Sequence, residues 1–223
     1  METTVIAVDG FASTGKSTLS KRLANELNFT YIDTGFMYRV VSYFALNSNL
    51  IEDGVILERE FEKALAETKF TWSTDTQSKK MLFNGKSFGD EIRTLVISTL
   101  VSQIAQLGFV REHLVAQQRS LSKLGSVVMD GRDIGTVVFP YADFKFFLVA
   151  DSKIRAQRRF DELQAKGEKV LFEEILKNVV DRDHQDSTRD ISPLRKAEDA
   201  LEIDTTSFGE EEVFEQMVSY ISK

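Results

Sequence analysis

The sequence predicts an α/β fold, a central parallel sheet with helices on its faces. Three observations point there. The apolar run Val5-Ile6-Ala7-Val8 leads into Gly10-Phe11-Ala12-Ser13-Thr14-Gly15-Lys16-Ser17, which reads G-x-x-x-x-G-K-S and precedes a helical stretch. The order strand, loop, helix then repeats at once, as in a parallel α/β sheet. Further on, Val127-Val128-Met129 and residues 144–149 are short buried-type strands, each followed by polar or cap residues.

The elements follow in order. Leu19, Leu23 and Leu27, with Ala24 beside them, form one apolar stripe on the first helix. Phe29-Thr30-Tyr31-Ile32 is aromatic and β-branched and ends at Asp33-Thr34-Gly35, which reads as a strand and a turn. A second helix is expected over residues 36 to 46. In the middle of the chain, Phe70-Thr71-Trp72-Ser73 and Met81-Leu82-Phe83 read as strands, and Asn84-Gly85 signals a hairpin into Lys86-Ser87-Phe88. Local antiparallel pairing inside a βα chain predicts an inserted lobe around residues 60 to 90. Helices follow from about residue 90 to 124, with Leu95, Leu100, Ile104, Leu107, Leu114 and Leu121 as apolar positions. The strand from Val127 ends at Asp130. A last strand is expected at Leu201-Glu202-Ile203. Ser207 with Glu210 predicts a capping box for a final helix whose apolar face holds Val213, Phe214, Met217, Val218 and Ile221.

The chemistry starts at the glycine-rich loop. After a strand, G-x-x-x-x-G-K-S turns successive backbone N–H groups inward around a phosphate, and the next helix adds its positive end. Lys16 reaches the outer phosphates as a point charge, and the Ser17 hydroxyl can bind Mg²⁺. Asp130, at the carboxyl end of a buried strand, is a second metal candidate by position. Composition narrows the partners. In 223 residues, Asp and Glu number 35 and Lys and Arg 28, a net charge of −7. Such a chain lacks the broad positive field of a general nucleic-acid binder, so an anionic substrate must be held by clustered arginines. There is no cysteine, which excludes disulfides and thiolate metal sites. No secretory signal or membrane-length apolar run is apparent. These features predict a soluble cytoplasmic monomer. His113 and His184 have no second histidine at ligand spacing and are read as structural or solvated.

The run Asp130-Gly131-Arg132-Asp133-Ile134-Gly135-Thr136-Val137-Val138-Phe139-Pro140 is the other unusual stretch. Ligands of open α/β sheets bind beyond the carboxyl ends of the strands, which places a cation and two acids there for a second substrate. With residues 9–18, Asp33-Thr34-Gly35, Tyr38-Arg39 and Glu91-Ile92-Arg93-Thr94, this run resembles the bacterial-type cytidylate kinases of the P-loop nucleoside-monophosphate kinase group. The resemblance spans nearly the whole chain. It implies one P-loop kinase domain over residues 1–223, with a β-rich monophosphate-binding lobe inserted at about 36–110 and a short lid at about 151–170. It also implies transfer of the γ-phosphoryl group of ATP to CMP or dCMP, with Mg²⁺.

The same resemblance assigns residues. Gly10, Phe11, Ala12, Ser13, Thr14, Gly15, Lys16, Ser17 and Thr18 would hold ATP, with lid arginines Arg155 and Arg158. Lys16, Arg132, Arg158 and Arg159 would serve the transferring phosphoryl. Thr34, Tyr38, Arg39, Arg132, Arg182, Asp186 and Arg189 would hold the phosphate and ribose of CMP. Ser102, Arg111 and Asp133 would surround cytosine, whose amino donor and two acceptors an acid, a cation and a hydroxyl can satisfy. On spacing and composition alone, Arg182, Asp186 and Arg189 read as an exposed helical ion pair, a reading that the resemblance reverses. Phe11 departs from the family pattern, which commonly has proline there, and Gln185 stands where some relatives carry arginine. Two further readings stay open: a kinase for another nucleoside monophosphate or small alcohol on this scaffold, and a nucleotide-binding switch. The switch usually carries N-K-x-D, which the chain lacks.

Overall fold

The computed structural model describes residues 3–74, 80–123 and 125–222. The elements are β1 (Val5–Gly10), α1 (Lys16–Glu26), β2 (Thr30–Asp33), α2 (Thr34–Asn47), β3 (Ile51–Glu52), β4 (Val55–Ile56), α3 (Glu58–Ala66), β5 (Phe70–Trp72) and β6 (Met81–Phe83). A 3₁₀ turn (Asp90–Ile92) follows, then α4 (Leu95–Ile104), α5 (Gly108–Ser122), β7 (Val127–Gly131), a π-type turn (Ile134–Val138), β8 (Phe144–Val149), α6 (Ser152–Ala165), α7 (Phe172–Thr188), β9 (Leu201–Asp204) and α8 (Glu210–Ile221). Two compact units divide them, one from residues 1–33 and 125–223, the other from residues 34–124. None of the described helices is long and apolar enough to cross a membrane.

The first unit holds the predicted sheet, in the order β2-β7-β1-β8-β9. Every pairing is parallel. β1 lies between β7 and β8, so its carboxyl end, where the loop begins, is central. Strands covered on both faces read as continuous apolar runs, as Val5–Val8 does. Ile6, Val8, Leu19, Leu23, Val128, Phe146, Leu148, Val213 and Met217 make one core between sheet, α1 and α8. A smaller cluster, Ala156, Leu163, Ile175 and Val179, joins α6 to α7.

In the second unit, β5 pairs antiparallel with β6, with Phe70 opposite Phe83. Asn84 and Gly85 both take positive φ, and Phe83 and Lys86 exchange backbone bonds of 2.9 and 3.0 Å. That is the expected two-residue turn. Its second arm stops at a single bridge at Lys86, so no strand runs on to Phe88. Phe61 packs edge-on against Phe109 at 5.4 Å and Phe83 lies 5.0 Å from Phe70, ring pairs that centre this core.

Other expectations shift. No turn separates β2 from α2, which begins at Thr34. The final helix is capped at Gly209, whose N–H donates to Glu212 Oε2 at 2.8 Å, and not at Ser207. Glu212, three residues on, is the side chain that reaches back.

His113 is structural. Thr68 Oγ1 already donates to Leu65 O at 2.7 Å, so the 3.2 Å contact with His113 Nε2 makes the ring nitrogen the donor. Burial holds this imidazole below its ordinary 6.5. The unfolded chain therefore binds a proton at this ring before the folded chain does, and stability falls as pH drops below about 6.5. Replacing His113 by Gln keeps a side-chain N–H donor and removes the titration. Urea unfolding at about pH 7.5 and about pH 5.5 is expected to show a smaller acid loss for H113Q than for the unsubstituted chain. Equal losses would contradict this reading.

Candidate active site

Close packing sets the loop's position. A Cβ on Gly10, whose φ is 150°, would lie 2.2 Å from the Leu148 carbonyl oxygen, so β1 can turn beside β8 only without a side chain. Residues 11–15 carry the loop to α1, which begins at Lys16. Lys16 Nζ donates to Phe11 O at 2.8 Å and Thr14 Oγ1 to the same carbonyl at 3.0 Å. Lys16 is buried, and that burial, with Arg132 adding to it, holds its ammonium below the usual lysine range. A cation so placed gains by meeting an anion.

Ser17 Oγ donates to Asp130 Oδ2 at 2.7 Å, and the Tyr31 hydroxyl donates to Asp130 Oδ1 at 2.8 Å. Burial, then the neighbouring Asp33 carboxylate, raises Asp130. The two predicted metal candidates thus meet as an oxygen-only donor set, which suits a hard divalent cation.

Beyond β7, Arg132 Nε donates to Asp186 Oδ2 at 2.8 Å. Arg189 lies 3.7 Å from Asp186 and 3.9 Å from Asp133. Burial would raise the Asp186 carboxyl, but Arg132 and Arg182 outweigh it and hold it below the ordinary aspartate value. Arg182 and Asp186 belong to α7 as spacing predicts, whereas Arg189 is its cap residue, extended at ψ 144°. The exposed ion-pair reading fails, because Asp186 and Arg189 are both buried. Arg132, Arg182, Asp130 and Asp186 all act electrostatically on Lys16, so loop and arginine cluster share one region of this unit.

The three lid arginines differ. Arg155, only 3% exposed, pairs with Asp183 of α7, donates to Ala12 O at 3.3 Å and lies 5.2 Å from the Phe11 ring centroid. Arg158 donates to Thr205 O at 2.6 Å and to Thr205 Oγ1 at 3.2 Å, while Thr205 Oγ1 donates to Thr14 O. Arg159 pairs with Glu162 at 2.8 Å on the helix surface.

In the 34–124 unit, Thr34 is buried at the start of α2. Arg39 NH1 donates to Ser98 Oγ at 3.0 Å. Arg111, buried, donates to Ala105 O at 3.2 Å and its guanidinium carbon lies 5.7 Å from the Tyr38 ring centroid. Ser102 is one turn beyond Ser98 on α4.

The family model for cytidylate kinase matches residues 6–223. The chain belongs to the cytidylate kinase family. The cytidylate kinase of Flavobacterium johnsoniae is 46% identical over 224 residues, covering 100% of this chain and 97% of the relative. That of Bacteroides thetaiotaomicron is 44% identical over 225 residues, covering 100% and 98%. A crystal structure of an uncharacterized protein from Eubacterium ventriosum is similar at TM-score 0.51 and 12% identity, over 99% of each chain, which is a likeness of fold alone.

Around these family positions the sequence reading gave no role to Asp9, which it quoted only as the start of residues 9–18, and it missed Thr205 and Asp183. Asp9 stands one residue before the loop and carried a signal, a carboxylate inside an apolar strand. Thr205 and Asp183 carried none, since their partners are 191 and 28 residues away.

The Arg155–Asp183 pair supports the back of the loop. Truncating Asp183 leaves a buried guanidinium unpaired, and D183A is expected to lose about 2–4 kcal/mol, short of a fully buried pair because Asp183 keeps some exposure. A double-mutant cycle with R155M, read by urea unfolding, should return part of that loss. A cycle showing no coupling would deny the pair its role.

Proposed function

We propose that the chain transfers the γ-phosphoryl group of ATP to CMP or dCMP, giving ADP and CDP or dCDP. One observation carries this reading: the loop cation Lys16 lies within electrostatic reach of Arg132 and Arg182. Phosphoryl transfer asks mainly for alignment and charge neutralisation, with no covalent nucleophile from the protein. Residues 10–18 cradle the triphosphate of ATP, and Lys16 exchanges the Phe11 carbonyl for a phosphate oxygen. Ser17 and Asp130 hold Mg²⁺, which supplies neutralisation of the triphosphate oxygens when bound.

Arg132, Arg182 and Arg189 take the phosphate and ribose of CMP, with Asp186 fixing their guanidinium planes. By the family resemblance, Thr34, Tyr38 and Arg39 would also serve the monophosphate. Ser102, Arg111 and Asp133 read cytosine, whose hydrogen-bonding edge uracil cannot reproduce. Of the lid arginines, Arg158 and Arg159 are the ones to turn toward the phosphoryl, while Arg155 stays behind the loop. In this reading residues 36–110 are the monophosphate lobe and 151–170 the lid.

A coupled assay with ATP·Mg and, in turn, CMP, dCMP, UMP and AMP tests the assignment. CMP and dCMP are expected to exceed UMP and AMP in kcat/KM by at least about tenfold, the scale of one lost hydrogen-bonding match. Faster turnover of UMP or AMP would overturn the cytosine assignment. K16A is expected to lower kcat at least about a hundredfold, the usual loss of a charge that stabilises the transition state. Near-normal kcat would remove the loop from the chemistry.

A further inference from the structure

Asp9 is an acidic side chain in the central strand, 4% exposed, and no step above uses it. Oδ1 accepts from the Ile134 N–H at 2.8 Å and Oδ2 from the Gly135 N–H at 2.7 Å. These amides open the π-type turn Ile134–Val138, whose Val137 and Val138 N–H groups donate back to Asp133 O. A second attachment comes from the backbone. In the β1–β7 ladder, Asp9 is the register partner of Gly131. One residue of β1 is therefore tied to the chain on both sides of the dipeptide Arg132-Asp133, by ladder pairing before it and by a two-pronged carboxylate after it. The next residue along β1 is Gly10, where the phosphate loop starts.

We infer that Asp9 is a positioning residue, which sets Arg132 and Asp133 in place relative to the phosphate loop and so governs how CMP is held. This rests on the function proposed above. The reasoning is geometric. Arg132 and Asp133 precede a turn whose internal bonds close on Asp133 O and Ile134 O, while Asp9 ties that turn to β1, and sites within reach of reacting phosphates tolerate displacements of only about half an ångström. Two bonds from consecutive amides, one to each carboxyl oxygen, fix the turn in translation and in rotation. Asparagine at this place keeps one acceptor and sets an NH₂ against a backbone N–H.

The same strand provides a control. Asp143 Oδ2 accepts from the Val5 N–H at 2.7 Å, a single carboxylate–amide bond, exposed, at the opposite end of β1. D9N and D143N are compared by steady-state kinetics, each nucleotide varied at saturation of the other, and by thermal unfolding. D9N is expected to raise KM for CMP at least about tenfold and leave KM for ATP within about twofold, and D143N to leave both within twofold. A D9N change equal for both nucleotides, or matched by D143N, would reduce Asp9 to a structural role and overturn the inference. Amide exchange separates its failure from that of the proposed function. Without nucleotide, D9N should lose at least about tenfold protection over residues 132–138 and keep it at residues 127–129. Uniform loss across the sheet overturns the positioning claim whatever the substrate. An unsubstituted chain that does not turn over CMP, with exchange confined to residues 132–138, defeats the functional reading alone.

Discussion

Burial of charge at the carboxyl end of the parallel sheet is the constraint from which the rest follows. Asp9, Lys16, Asp130, Asp133, Arg155, Asp186 and Arg189 are all buried, and an ion withdrawn from water must find a partner or neutralise. The loop carbonyl of Phe11 answers Lys16, Ser17 and Tyr31 answer Asp130, and Arg132 answers Asp186. Cations and carboxylates alternate through the cluster, so it can stay folded without a ligand. In the proposed function, an arriving phosphate would take over pairings already made. Side chains held by such pairs lose little further freedom on binding, which is the structural meaning of preorganisation.

The sheet makes this burial possible. All five strands are parallel, so their carboxyl ends and the loops leaving β1 and β7 gather on one edge. Because β1 is central, its loop is flanked by segments that follow β7 and β8. Gly10 has no room for a side chain against Leu148, so the loop leaves β1 in close contact with the β8 backbone. The core beneath, from Ile6 to Met217, is apolar and supplies the rigid floor that charged side chains cannot supply for themselves.

Much of this was legible in the sequence, and the boundary is physical. Local signals succeeded: the glycine spacing of the loop, the leucine stripe of α1, the Asn84-Gly85 turn and the apolar strands β7 and β8. The short strands β3 and β4 were missed although Asp53-Gly54 between them takes positive φ at both residues, the same turn chemistry on arms of only two residues. The cap of α8 slipped by two positions because several acids and small polar residues stand together there, and only backbone geometry selects among them. Partners far apart in sequence were the true blind spot. The Asp9 carboxylate meets an amide 125 residues away, and no periodicity records such a pairing. The resemblance to cytidylate kinases suggested candidate site residues; it did not say that Arg155 bonds to the loop carbonyl of Ala12 and to Asp183 while Arg159 pairs with Glu162.

Phe11 shows how a departure from a family pattern can keep the same mechanical result. Proline at this place stiffens a loop through its own ring, which fixes φ. Phenylalanine has no such restraint, so its rigidity must come from neighbours. The Phe11 ring packs edge-on against Phe147 of β8, with centroids 6.4 Å apart, and Arg155 lies over it. Arg155 is in turn held by Asp183, by Ala150 O and by Ala12 O within the loop. A stacked guanidinium with three fixed partners is a stiff support, since its planar fork loses little freedom once placed. Rigidity that a proline would place in the chain is here distributed over β8, α6 and α7. A loop braced in this way carries with it the orientation of α7, the helix that bears Arg182 and Asp186. Arg155 therefore links the loop backbone, through Ala12 O, to α7, through Asp183, and the Phe11 ring packs against that brace.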